Sequence, residues 1–269
     1  MENSNKFETI SEFVSSNMQN QEQVTLNLIK VDVDQKSFIE MCTHLEKCQN
    51  LQSLELDLTL KSIDESKMIS LCTAIPNCQN LQSLSLSFSE SNIDLQVISF
   101  LCSLIKKCKN LQTLYLDLNN NPFGDQGVIQ ISQSLENCDK LQYFTLCLHD
   151  NDINDVSISQ LGESIKNCKQ LFSFIINLNC NDIKSKGLCD LITGLQKCQK
   201  LNLLELHLDQ CQINENGLQE SALILSQYQS LKYLEIDISY NPADTDEKIN
   251  FFRKIKKFKY LVQLIEKYD

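Results

Sequence analysis

Leucines recur along this chain on a fixed count. Leu51, Leu81, Leu111, Leu141, Leu171, Leu201, Leu231 and Leu261 stand thirty residues apart, and no insertion breaks the series. Cys48, Cys78, Cys108, Cys138, Cys168 and Cys198 keep the same interval, which Tyr228 and Phe258 continue. A period of this length marks stacked supersecondary units. Within one unit, Leu114, Leu116 and Leu118 alternate with polar residues, the period-two pattern of a half-buried strand. The cluster Asn119-Asn120-Asn121-Pro122-Phe123-Gly124 ends it. Val128, Ile131, Ser132 and Leu135 then fall on one face of a helix. Ile98, Leu101, Cys102 and Ile105, and Met68, Leu71, Cys72 and Ile75, repeat that face one and two units earlier.

A thirty-residue strand and helix cannot bury its apolar face alone, whereas stacked copies can. Helices are thicker than the ~4.8 Å spacing of strands, so the stack curves with its sheet inside. The pattern predicts an α/β solenoid, a horseshoe with a parallel concave β-sheet and convex α-helices.

The run Leu116-x-Leu118-x-x-Asn121-x-Phe123-x-x-x-Gly127 resembles the leucine-rich repeat of the ribonuclease-inhibitor type. Its Asn/Cys position is filled by Asn121, Asn151, Asn181, Cys211 and Asn241. The resemblance spans about residues 24–265 and implies that these side chains bond turn backbone. Two departures accompany it. An extra apolar pair, Leu111 and Leu114, predicts a longer strand than usual, and Lys61 and Ser91 at the Asn position predict two looser turns. Residues 1–20 are expected to cap the N-terminal edge, with Phe7, Ile10, Phe13 and Val14 on a short amphipathic helix. Residues 21–245 form the solenoid. Residues 246–269 supply a basic, solvated capping helix (Ile249, Phe252, Ile255, Phe258) and an edge strand from Leu261 and Leu264.

Formal charge is −11, and residues 248–269 hold seven basic side chains against two acidic ones. The rest is therefore strongly acidic, which argues against nucleic acid. No apolar run is long enough to span a membrane. No secretory or transit pattern opens the sequence, so the expected location is cytoplasmic. The thirteen cysteines contain no Cys-x-x-Cys, and several share the helical phase of core leucines. They are expected to be reduced core thiols, not metal ligands or disulfides.

No phosphate-binding glycine loop or cofactor motif is present. Gly127, Gly187 and Gly217 share one repeat position, which predicts a packing or turn role. Cys147 and His207 occupy equivalent strand positions two units apart, at roughly 10 Å, too far for a nucleophile and its base. His207 is expected to neighbour Asp237. Arg253, the single arginine, lies in the terminal cap, where it cannot serve as a concave arginine finger. These readings point away from an enzyme.

Between the buried leucines the outward strand residues are Glu55 and Asp57, Ser85 and Ser87, Tyr115 and Asp117, Thr145 and Cys147, Ile175 and Asn177, Glu205 and His207, and Glu235 and Asp237. Tyr143, His149, Asp209, Tyr233 and Tyr240 lie around them. Acid at both ends and apolar groups between them suit a basic protein segment, with Tyr115 and Ile175 as exposed anchors. A subunit of a large assembly, and a non-catalytic regulator of an enzyme or small GTPase, are the competing readings.

Overall fold

The computed structural model describes residues 5–17 and 21–269. Ten parallel strands form one sheet whose spatial order is their chain order. The N-terminal part contains β1 (Asn5–Phe7), α1 (Ile10–Ser15), β2 (Gln23–Asn27), α2 (Gln35–Leu45), β3 (Ser53–Asp57), α3 (Glu65–Ala74) and β4 (Ser83–Ser87). The middle holds α4 (Leu95–Lys107), β5 (Thr113–Asp117), α5 (Gly124–Ser134), β6 (Tyr143–Cys147), α6 (Asp155–Ile165) and β7 (Ser173–Asn177). Finally come α7 (Ser185–Leu195), β8 (Leu203–His207), α8 (Glu215–Leu225), β9 (Tyr233–Asp237), α9 (Thr245–Ile255) and β10 (Gln263–Lys267). The chain is a leucine-rich-repeat solenoid.

Strand register advances by thirty residues at every step from β2 to β10, so Leu54, Leu84, Leu114, Phe144, Phe174, Leu204 and Leu234 line up. All seven are buried. From β2 onward every strand is five residues long, and of the extra apolar pair only Leu114 lies within its strand. Leu111 precedes β5 in a turn, where its N–H donates to Cys108 O, and is buried there.

The Asn positions form a hydrogen-bonded ladder through the turns. Asn181 Nδ2 donates to Leu148 O (2.8 Å), Leu178 O (2.9 Å) and Asn179 O (3.1 Å). Its Oδ1 accepts from Asn151 N and Ile153 N, both at 3.1 Å. Asn121 bonds in the same manner to Phe88 O, Leu118 O, Asn119 O, Ser91 N and Ile93 N. The two turns expected to be loose are not. Ser91 is fully buried and its hydroxyl donates to Leu58 O at 3.0 Å, the same rung with a shorter side chain. Lys61 Nζ reaches Ile29 O at 2.7 Å.

Cys211 is the weak rung. Its thiol donates to Leu178 O at 3.4 Å, but sulfur is a poor acceptor for the neighbouring N–H groups. Cys211→Asn is expected to stabilise the protein by about 0.5–1.5 kcal/mol through the restored acceptor. Urea unfolding checks this; an unchanged or lower midpoint means that the turn cannot admit the larger amide.

Helix starts repeat too. Asp34, Asp64, Asp94 and Asp244 are N-caps that accept from the backbone N–H three residues on, and Asn154 and Asn214 also cap their helices. At the N-terminal end Thr9 and Glu12 form a capping box, and Phe13 packs edge-on against His44. Phe7 lies on β1, not on the helix, so the sheet itself extends into the cap.

At the other end the basic helix differs from expectation. Lys248 is 2% exposed and pairs with the Asp269 carboxylate, which also accepts from Tyr240 N at 3.0 Å. The capping helix is therefore not a uniformly solvated basic face. Of its lysines, the innermost is a buried structural group.

Candidate functional site

Parallel register gathers the outward residues into rows across the inner sheet face. One row runs Thr25, Glu55, Ser85, Tyr115, Thr145, Ile175, Glu205, Glu235 and Ile265. The next runs Asn27, Asp57, Ser87, Asp117, Cys147, Asn177, His207, Asp237 and Lys267. Every predicted strand residue of the site is on this face. His149 and Asp209 follow just beyond the strand ends, and their N–H groups donate to Asn119 Oδ1 and Asn179 Oδ1.

Three of the predicted acids also have local work. Asp57 Oδ1 accepts from Thr59 N (3.0 Å), Asp117 Oδ1 from Asn119 N (3.2 Å) and Asp237 Oδ1 from Ser239 N (3.1 Å). They are turn-forming side chains on strand exits. Asp117 is held above the usual carboxylate range by burial, with Asp57 adding to the effect.

The densest acidic spot lies on β8 and β9, where Glu205 and Glu235 are direct register partners. Burial, followed by the charge of Glu235, raises the Glu205 carboxyl above its ordinary value. Burial also opposes ionisation of Glu235, but the Lys267 ammonium and the Tyr233 hydroxyl outweigh it and lower that carboxyl. Lys267 Nζ stands 2.7 Å from Glu235 Oε1, and Tyr233 donates to Oε2 at 2.8 Å. Asp209 leaves Oδ1 buried and without a hydrogen-bond partner. His207 is beside Asp237 in register, as expected, but its Nε2 approaches Glu205 Oε2 on its own strand, at 3.8 Å.

The anchors differ from the sequence reading. Tyr115 and Ile175 are half-buried, not exposed. The Tyr115 hydroxyl is raised by burial first and then by Cys147 and Asp117. Of the residues around the face Tyr240 is exposed near the strand exits, and Tyr143 (46% exposed) meets the exposed Phe172 (41%) on the strand-entry rim, their rings 5.9 Å apart. Tyr143 was visible as an outward residue. Phe172 was not, because it precedes its strand at a position that Gln52, Gln82, Gln112 and Gln142 fill elsewhere.

Cys147 is separated from His207 by β7, and burial, then Asp117, pushes its thiol to about 11. It is protonated at neutral pH, and its carboxylate neighbour Asp117 disfavours the thiolate instead of promoting it. The thirteen cysteines are free thiols, and desolvation raises those at the helix ends, Cys168 to about 12 and Cys198 to about 11. Among the described residues no group of three or more His, Cys, Asp or Glu is placed to hold a metal ion, and no helix is long and apolar enough to cross a membrane.

No protein-family model matches the sequence, and the comparison with curated proteins gives no match. Among solved structures the chain is similar to internalin C2 from Listeria monocytogenes, with 15% identity and a TM-score of 0.48 over 87% of this chain and 84% of that one. It is also similar to the actin-binding site 2 of leiomodin-1, with 16% identity and a TM-score of 0.40 over 52% of this chain and 76% of that one. The description of the chain as a leucine-rich-repeat solenoid rests on its own thirty-residue register and parallel ten-stranded sheet.

Proposed function

We propose that this protein is a non-enzymatic, cytoplasmic interaction module of the ribonuclease-inhibitor type, whose concave face holds a basic segment of another protein. The observation that carries this reading is the Glu205–Glu235 register pair, with Glu205 held above its ordinary pKa by burial and by its neighbour. Two carboxylates forced together repel, and a cationic side chain placed between them relieves the repulsion. Asp209, with its unpartnered oxygen, extends the same acidic end. Tyr143 and Phe172 supply an apolar contact on the adjoining rim.

The probe is a lysine- and arginine-rich peptide of about ten residues, titrated calorimetrically against the full chain. Binding is expected to weaken as salt rises, because exposed charges are screened over ~10 Å at 0.1 M. Glu205→Lys combined with Asp209→Lys should abolish it while circular dichroism stays unchanged. Asp237 is left intact because it shapes its turn. Phe172→Ala should speed dissociation.

The pH dependence has a definite sign. A bound cation favours ionised Glu205, so its raised pKa falls on binding and protons are released. Affinity is highest above that raised pKa and declines as pH drops through it. Unchanged affinity in the double variant, with the fold intact, removes the acidic face from the reading. The helices or end caps would then be the contact surface, as expected of a subunit in a larger assembly.

A further inference from the structure

Net charge conceals a strong separation of charge along the strand direction. The β→α turns and helix starts, recurring from residues 28–36 to 238–246, carry fifteen carboxylates and five lysines. The α→β turns, recurring from 46–52 to 256–262, carry thirteen lysines and three carboxylates. Part of the cause is local: acids cap helix N-termini, and cations suit helix C-termini. Parallel stacking then places every cap on one edge of the solenoid and every helix end on the other, so the small preferences accumulate into two oppositely charged edges.

We propose that the α→β edge docks this protein onto the surface of an anionic phospholipid membrane. Four features support a bilayer as the occupant. First, the cations are available. Among the described residues only Lys166 and Lys256 of these thirteen lysines form ion pairs, with Glu163 and Glu266. Second, the edge is level. No insertion lengthens any turn, and backbone bonds tie each to the one before: Phe172 N to Gln142 O, Asn202 N to Phe172 O and Lys232 N to Asn202 O, all at 2.8 Å.

Third, apolar and aromatic groups stand on the same edge. Val262 is 80% exposed, Tyr260 is exposed two residues before it, and Phe172 is exposed at Val262's own repeat position three strands away. Such residues enter the headgroup region while lysines meet the lipid charge. Fourth, the charge is lysine, a point charge that needs no fixed partner geometry, in a protein with a single arginine. A groove of about 840 Å³ lined by Lys166, Lys169, Lys197, Gln199, Tyr228 and Ser230 opens on this edge, with room for headgroups between the turns.

The acidic edge does not prevent this contact. A five-residue strand is about 17 Å long, and the turns add to the separation, whereas screening acts over ~10 Å at 0.1 M salt. The net charge of −11 thus sets the orientation of approach without blocking it.

The test is sedimentation of the full chain with phosphatidylcholine vesicles, with and without about a third phosphatidylserine, at about 0.1 M salt. The chain is expected to partition onto the phosphatidylserine vesicles and to remain free with phosphatidylcholine alone. Each lysine near the surface is worth about fivefold in partitioning. Replacing Lys166, Lys169, Lys197 and Lys200 by Glu should therefore weaken it at least about a hundredfold. Val262→Ser, at a site too exposed to affect folding, should weaken it severalfold. The four-lysine variant should keep its circular dichroism and bind the basic peptide no more weakly, since the change only adds negative charge, which separates this surface from the concave face. No partitioning onto phosphatidylserine, or equal partitioning by the variant, overturns the proposal. Duplex DNA of about 20 base pairs held as tightly as the vesicles would assign the edge to nucleic acid instead.

Discussion

Asn181→Ala is expected to lower the unfolding free energy by about 3–5 kcal/mol. The side chain's two amide hydrogens are shared among three carbonyls of its own and the preceding turn, and its oxygen accepts from Asn151 and Ile153 N–H. The residue is buried, so water does not replace these bonds freely. Each buried group left unpaired costs about 1–3 kcal/mol, and turn relaxation recovers part of the total. Asn181→Ser should cost roughly half as much, because Ser91 shows that a hydroxyl can serve the donating side of the rung. Urea denaturation of the two variants gives the comparison. Equal losses for Ala and Ser would mean that the donated bonds contribute nothing and that the accepted ones carry the ladder.

Gly194→Ala should cost about 3 kcal/mol or more, an unusual penalty for one added methyl group. A Cβ on Gly194 would lie 2.0 Å from Gly162 O and 2.5 Å from Gly162 C, both backbone atoms of the neighbouring helix. Nothing there can rotate away, so α6 and α7 must separate. Gly162 faces the same limit, at 2.6 Å from Asp190 O. Gly127 is a useful contrast, because its obstacle is the Phe123 ring, a side chain able to shift. Thermal unfolding should show a larger fall in Tm for Gly194→Ala than for Gly127→Ala. The reverse order would show that the two helices are not held as close as Gly162 and Gly194 allow.

Much of this architecture was legible without coordinates, for a specific reason. In a solenoid each residue's neighbours are the residues one period away, so the thirty-residue count of Leu51 to Leu261 fixes the contacts as well as the elements. The same count placed Glu205 beside Glu235 and kept Cys147 two strands from His207. The paired edge charges were also present in the sequence. Summing charge by position within the repeat would have found them, whereas summing it along the chain exposed only the basic tail.

Spacing alone could not show what each side chain does after it reaches its row. Asp57, Asp117 and Asp237 have the alternation of concave-face acids, yet their oxygens accept bonds from their own turns, a choice set by local backbone geometry. Lys248 belongs by sequence to a basic surface, but folding buries it against the Asp269 carboxylate, a pairing across twenty-one residues that helical spacing does not reveal. Tyr115 is as outward as Tyr143 by parity, and only packing decides that the first is half-buried against Cys147 while the second stands free on the rim with Phe172. The sequence by itself determined the repeat, the strand faces and the parallel order, since those follow from periodicity. Exposure, partner choice and the close approach at Gly162 and Gly194 depend on side-chain volumes meeting in three dimensions, and only the tertiary structure decided them.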